Sequence, residues 1–191
     1  MKATDVIADG FGRIREVVYE AVDGVPAELL GRIREVVYEA VDGVPAELLN
    51  ARVDPAANSI TWLVWHLTRI QDDHIAAAAG LEQAWQADGW ADRFDLPLPA
   101  ASTGYGHSAR QAGTVRVDSG DLLLGYFDAV HERTLAFVRG LAAADLDRVV
   151  DERWDPPVTL GVRLVSVLAD DLQHAGQAAF VRGVLERGAD A

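Results

Sequence analysis

The sequence predicts an all-α bundle formed by one domain, and three observations carry that prediction. Apolar residues recur at spacings of three and four through four long stretches. Breaks such as Asp42-Gly43-Val44-Pro45 and Pro156-Pro157 separate those stretches. Nothing along the chain alternates convincingly as a strand. A length of 191 residues suffices for one full core, so residues 1–191 are read as a single domain.

The first element is a repeat. GRIREVVYEAVDGVPAELL occupies residues 12–30 and recurs at 31–49, identical at all 19 positions. Two copies are too few for a solenoid. The repeat reads as one surplus segment in a protein of 172 residues, which is 191 less the 19 of one copy, and it points to a very recent or a deliberate duplication. Each copy is an amphipathic helix with a stop. Ile33, Val36, Val37, Ala40 and Val41 share a face in the second copy, as Ile14, Val17, Val18, Ala21 and Val22 do in the first. Asp23-Gly24 ends the first copy's helix, and Pro26 suits the first turn of a new one, so Pro26 to Val41 should run as one helix. Only one groove is available for two identical helices. The second copy should fill it, because its link to the downstream chain is undisturbed. The first copy then becomes an extra helical segment, packed outside or on another subunit, an arrangement compatible with a homodimer and with domain swapping.

Residues 50–58 form a polar loop, and Ser59 or Asn58 caps the next helix, Ile60 to about Ala79, which Gly80 closes. Leu81 to Gln86 reads as a helical turn. The stretch ADGWADRFDLPLPAASTGYGHS has no helical period and reads as a long loop. Ser108 to Val115 suits a short helix. Ser119 caps the third long helix, Gly120 to Leu141, with Leu122, Leu123, Tyr126, Val130, Leu135 and Val138 as its stripe. Ala142 to Pro157 is a connector holding Val149, Val150 and Trp154. The last helix runs from Thr159 to about Arg187, and Val162, Leu164, Val165, Val167, Leu168, Leu172, Ala178, Ala179 and Phe180 predict that it is largely buried.

Composition removes several function classes. The net charge is −13, from 17 basic and 30 acidic residues, with no basic stripe, so nucleic acid and anionic membrane are excluded as partners. No run approaches the roughly 18 apolar residues of a membrane span. MKATDVIADGFGR lacks the apolar region of a signal peptide, and a cytoplasmic location is expected. The chain has no cysteine, which excludes disulfides, thiolate ligands and a cysteine nucleophile. There is no nucleophile elbow, phosphate loop or dinucleotide fingerprint.

What remains is a set of histidines and carboxylates inside apolar helices. His66 is flanked by Trp62, Leu63, Trp65 and Leu67, so its ring should face protein and needs a partner. The last helix carries Asp170, Asp171, His174 and Gln177. Asp170 and His174 are four apart, on one face, the spacing by which a helix presents two ligands to one ion. Packed together, His66, Asp170 and His174 would make a two-histidine, one-carboxylate set with open positions, suited to zinc and also to nickel or iron. A closed hydrogen-bonded core network fits the same spacing. His74, beside Asp72 and Asp73, is either an outer contact of that set or a solvated helix end. His107 and His131 read as ordinary, and Trp85, Trp90 and Trp154 as core, interface or pocket wall.

SITWLVWHLTRIQDDHIA, followed by DDLQHAGQAAFVRG, resembles the DinB-like superfamily, and more closely an uncharacterised branch related to mycothiol-dependent transferases and the maleylpyruvate isomerase N-terminal domain. The resemblance implies a DinB-like four-helix bundle, here with one extra segment from the duplication. It also implies a divalent metal, zinc first, with one histidine from the second helix and two from the fourth. His66 matches the first ligand and His174 the last. The middle position, a histidine in the family, is Asp170 here, with Asp171 as the neighbouring alternative. Gln177 matches the glutamine that follows the last ligand, and His74, Asp171 and Gln177 are the outer contacts. The activity implied is transfer of mycothiol or a similar low-molecular-weight thiol to a small electrophile, the metal lowering the thiol pKa. A chain without cysteine suits a thiol supplied by a cosubstrate. The competing reading is a non-catalytic helical bundle, a small-ligand binder or dimeric scaffold, with the duplication engineered.

Overall fold

The computed structural model describes residues 25–189, and four long helices dominate them: α1 (Val25–Val41), α2 (Ile60–Ala79), α3 (Gly120–Arg139) and α4 (Leu160–Ala189). The body of the first copy, and with it the expected extra helix, lies outside the described residues. As the sequence predicts, α1 joins the tail of copy one to the body of copy two. Ile33, Val37, Ala40 and Val41 of the second copy are buried in the core.

Local signals set the helix ends. The Ser59 hydroxyl accepts from the Trp62 amide, and Gly80 closes α2 in the left-handed region at φ 68°. Ser119 caps α3 by accepting from the Asp121 amide. The helix Ala109–Ala112 has a capping box from Ser108 and Gln111.

Paired side chains give the helix directions. Arg34 Nε meets Asp128 Oδ1 at 3.0 Å, and a Cβ on Gly120 would lie 2.9 Å from Val41 Cγ1, so α1 and α3 are antiparallel. The rings of His66 and His174 are 4.9 Å apart and Arg163 reaches His74 at 3.2 Å, so α2 and α4 are also antiparallel. The long link from 80 to 119 returns the chain across the bundle, and α2 and α3 share a crevice lined by Asp72, Ala76 and Ala79 on one side and by Val130, Thr134 and Phe137 on the other.

Three expectations need correction. The stretch read as loop without helical period contains the short helix Trp90–Phe94, whereas Ala84–Ala87 supplies the helical turn expected at Leu81 to Gln86; Trp85, Trp90 and Phe94 anchor both in the core. These pieces are four and five residues long, too short for a periodic signal. The connector holds a 3-10 turn, Ala143–Asp147, and an antiparallel pair, Val149–Asp151 with Val158–Thr159. Finally, α4 is not largely buried: Val162, Leu172 and Phe180 are 57, 42 and 68 % exposed. Apolar residues occur on all sides of α4, while among the described residues α1, α2, the short helix Ala46–Leu49 and the connector pack against it and leave these side chains uncovered. Trp154 is likewise exposed rather than core. Among the described residues no helix is long and apolar enough to cross a membrane.

Candidate metal centre

The antiparallel contact of α2 and α4 brings together the three residues singled out from the sequence. His66, Asp170 and His174 each offer one ligand-type atom, and these atoms lie within 4.8 Å of one another. Four-residue spacing stacks Asp170 under His174, with Asp170 Oδ1 at 3.6 Å from His174 Nε2. His66 comes from the facing helix and is 6 % exposed. The Asp170 and His174 side chains are 31 and 18 % exposed, so the cluster opens to solvent on the α4 side.

Both imidazoles are oriented from behind. His66 Nδ1 lies 2.5 Å from the Thr103 carbonyl oxygen. A carbonyl only accepts, so Nδ1 carries the proton and Nε2 keeps its lone pair. His174 Nδ1 donates to Gln177 Oε1 at 2.9 Å, leaving its Nε2 toward Asp170. Asp170 Oδ2 is buried with no hydrogen-bond partner. Among the described residues, the cluster therefore holds two imidazole Nε2 atoms and one carboxylate with no hydrogen-bonding contact closer than the 3.6 Å between His174 Nε2 and Asp170 Oδ1. That is the state in which a histidine–carboxylate set ligates an ion, with carbonyl-type acceptors fixing the tautomers. A closed core network would have left no such atoms, and it would have paired Asp170 with His66.

The two histidines are shifted in opposite directions. Burial lowers the His66 pKa and outweighs the Thr103 carbonyl, which raises it. Burial also lowers His174, but its contacts with Asp170 and Gln177 prevail and raise it.

The outer contacts divide. Gln177 touches His174 as expected. His74 does not approach the cluster: it stands two helical turns from His66, about 12 Å along the axis, against Asp73 at 3.4 Å and Arg163. Asp171 points into the core, wholly buried, with neither oxygen hydrogen-bonded, and burial raises its pKa well above the usual carboxylate range. His131, expected to be ordinary, is buried in the core and stacked on Phe127 at 5.6 Å, with its Nδ1 lacking a hydrogen-bond partner.

The long loop expected between the helices closes over His66, and sequence reading missed which of its residues do so. Thr103 supplies the carbonyl, and His107, expected to be ordinary, bonds through both ring nitrogens: Nδ1 accepts from Trp62 Nε1 at 3.2 Å and Nε2 meets Ser102 Oγ at 2.8 Å. Trp62 in turn stacks on His66 with centroids 4.6 Å apart. Behind the loop, fully buried Arg69 donates to the Ser102 carbonyl, Gln83 and Tyr126, and lies 3.6 Å from Asp72. The available signal was the Gly104-Tyr105-Gly106 tip next to His107, since paired glycines mark a backbone that needs positive φ.

Two comparisons place the fold among known proteins. A solved structure described as a conserved protein from Enterococcus faecalis is 32 % identical, with a TM-score of 0.80 over 84 % of this chain and 95 % of that one. No curated protein matches. The family model of the DinB superfamily matches residues 29–178, a span that holds all of the second copy, only the last two residues of the first, and all three clustered side chains. On that match and that structural likeness, the chain belongs to the DinB superfamily.

Proposed function

We propose that this protein is a divalent-metal-dependent enzyme that transfers a low-molecular-weight thiol of the mycothiol type to a small electrophile. His66, Asp170 and His174 would hold the ion. The observation that carries the reading is the donor set: His66, Asp170 and His174 each bring a ligand-type atom within 4.8 Å of the others where α2 meets α4, and hydrogen bonds at both Nδ1 atoms leave Nε2 as the ligating nitrogen. Two histidines and a carboxylate suit zinc first, and nickel or iron next. Such an ion lowers the pKa of a bound thiol and supplies a nucleophile near neutral pH.

The chain's own residues do the rest. Thr103 and Gln177 hold the two imidazoles in their ligating tautomers. Asp170 reduces the positive charge of the loaded site relative to three neutral histidines. Trp62 covers the ring face of His66, while the partly exposed Asp170 and His174 leave room for a small molecule to approach. With no cysteine, the chain offers no thiol of its own, and its acidity disfavours nucleic acid as the electrophile's carrier.

The test is elemental mass spectrometry on untagged protein, paired with a thiol-transfer assay using a chromogenic electrophile. The expected result is about one zinc, nickel or iron per chain, lost together with transfer in His174→Ala. Metal content and transfer that both survive His174→Ala would sink the reading.

A further inference from the structure

The loop over His66 is built more tightly than a connector needs to be. Gly104 has φ 95°, and a Cβ there would lie 2.6 Å from His66 Nδ1 and 3.1 Å from the Trp65 ring. Only glycine lets the backbone come that close, and the approach is what sets the Thr103 carbonyl on His66 Nδ1. Three residues on, His107 stacks on Trp65 with centroids 6.0 Å apart and spans from the Trp62 indole to the Ser102 hydroxyl. An indole N–H can only donate, so His107 Nδ1 is an acceptor and its Nε2 carries the proton. Both nitrogens are used, which leaves His107 neither a ligand nor a base. What it holds is Trp62, whose ring lies at 20° to His66 and edge-on to His174 at 6.2 Å. The other end of the loop is fastened at the Ser102 carbonyl by Arg69.

We propose that the segment Ser102–His107 is the positioning device of the metal centre: Thr103 and Gly104 set the tautomer of His66, and His107 is the strut that keeps Trp62 against its ring. The bundle brings the three ligands together, and the loop determines how well one of them binds. This rests on the metal reading above, but half of it is measurable without metal.

The experiment compares His107→Leu, His107→Asn and Gly104→Ala with the parent protein. Zinc affinity is measured by competition with a chromophoric chelator, and the His66 tautomer by nitrogen-15 NMR on metal-free protein. Contacts behind a ligand are typically worth about 10- to 100-fold in metal affinity. His107→Leu should weaken zinc binding by that order, and His107→Asn, which restores an acceptor for the Trp62 indole, should recover most of the loss. Gly104→Ala should weaken zinc binding and turn a single Nδ1–H tautomer of His66 into a mixture. Parent-like affinity in both His107→Leu and Gly104→Ala would overturn the proposal. If the parent binds no zinc, nickel or iron, the metal reading fails. The NMR result then decides the positioning role: a single His66 tautomer that survives Gly104→Ala refutes it, and a mixture supports it.

Discussion

Substituting aspartate for Val37 tests how two identical sequences share one groove. Val37 is 0 % exposed, in the core that α1 forms with α3 and α4. Removing its burial costs about 1.5–3 kcal/mol. The new carboxylate has no partner there and escapes ionisation by taking a proton, which costs about 1.4 kcal/mol for each pH unit above an ordinary pKa near 3.9, or about 4 kcal/mol at pH 7. The local penalty is therefore about 6 kcal/mol, comparable with the roughly 5–15 kcal/mol stability of a whole domain. The full chain has a way round it. Val18 stands in the first copy where Val37 stands in the second, so copy one can enter the groove with residues 31–49 looped out. Closing a 19-residue excursion costs about 2.6 kcal/mol by the logarithmic loop term. Urea unfolding at pH 7 should then show Val37→Asp losing about 3 kcal/mol in the full chain and about 6 in a chain lacking residues 12–30, while Val18→Asp loses under about 1. A Val18→Asp loss as large as that of Val37→Asp would refute the assignment of the groove to copy two. Equal losses for Val37→Asp in both chain lengths would refute the exchange.

Further predictions concern the buried charges. Arg69→Met should cost about 3–5 kcal/mol in thermal unfolding, because buried Asp72 keeps its hydrogen bonds from the Ala84 and Trp85 amides and Tyr126 but loses its neighbouring cation, and the Ser102 carbonyl loses its donor; a loss below about 1 kcal/mol would show that the pair is dispensable. Zinc binding should strengthen with rising pH and release a proton from His174, whose pKa is raised beside Asp170, as read by calorimetry in buffers of different ionisation enthalpy; no buffer dependence near pH 6.5 would contradict it. Asp171 has its folded pKa raised by burial, so the folded state holds a proton that the unfolded chain gives up, and stability falls as pH rises above the ordinary carboxylate pKa. Asp171→Asn in metal-free protein should accordingly gain stability over the parent by up to about 1.4 kcal/mol per pH unit from pH 4 upward, and a difference that does not change with pH would refute this.

The sequence by itself determined the four long helices and their caps, because three- and four-residue spacing, Ser59, Gly80 and Ser119 are local signals that act within a turn or two. It also pointed to the clustered residues, through a histidine in a greasy helix and an Asp–His pair one turn apart, but the same spacing fits a closed hydrogen-bonded network, and only the packing of α2 on α4 brought the three together. Tertiary structure alone decided the rest. Which side of α4 is buried depends on where its neighbours stop, not on its own apolar residues, which lie all round it. Asp170 and Asp171 are adjacent and chemically equal in the sequence, yet the rotation of α4 against α2 turns one toward the histidines and the other into the core. The loop was hidden for a similar reason. Thr103 acts through a backbone carbonyl that any residue would carry, and His107 matters only because the chain returns some forty residues later to meet Trp62, a contact that no local pattern encodes.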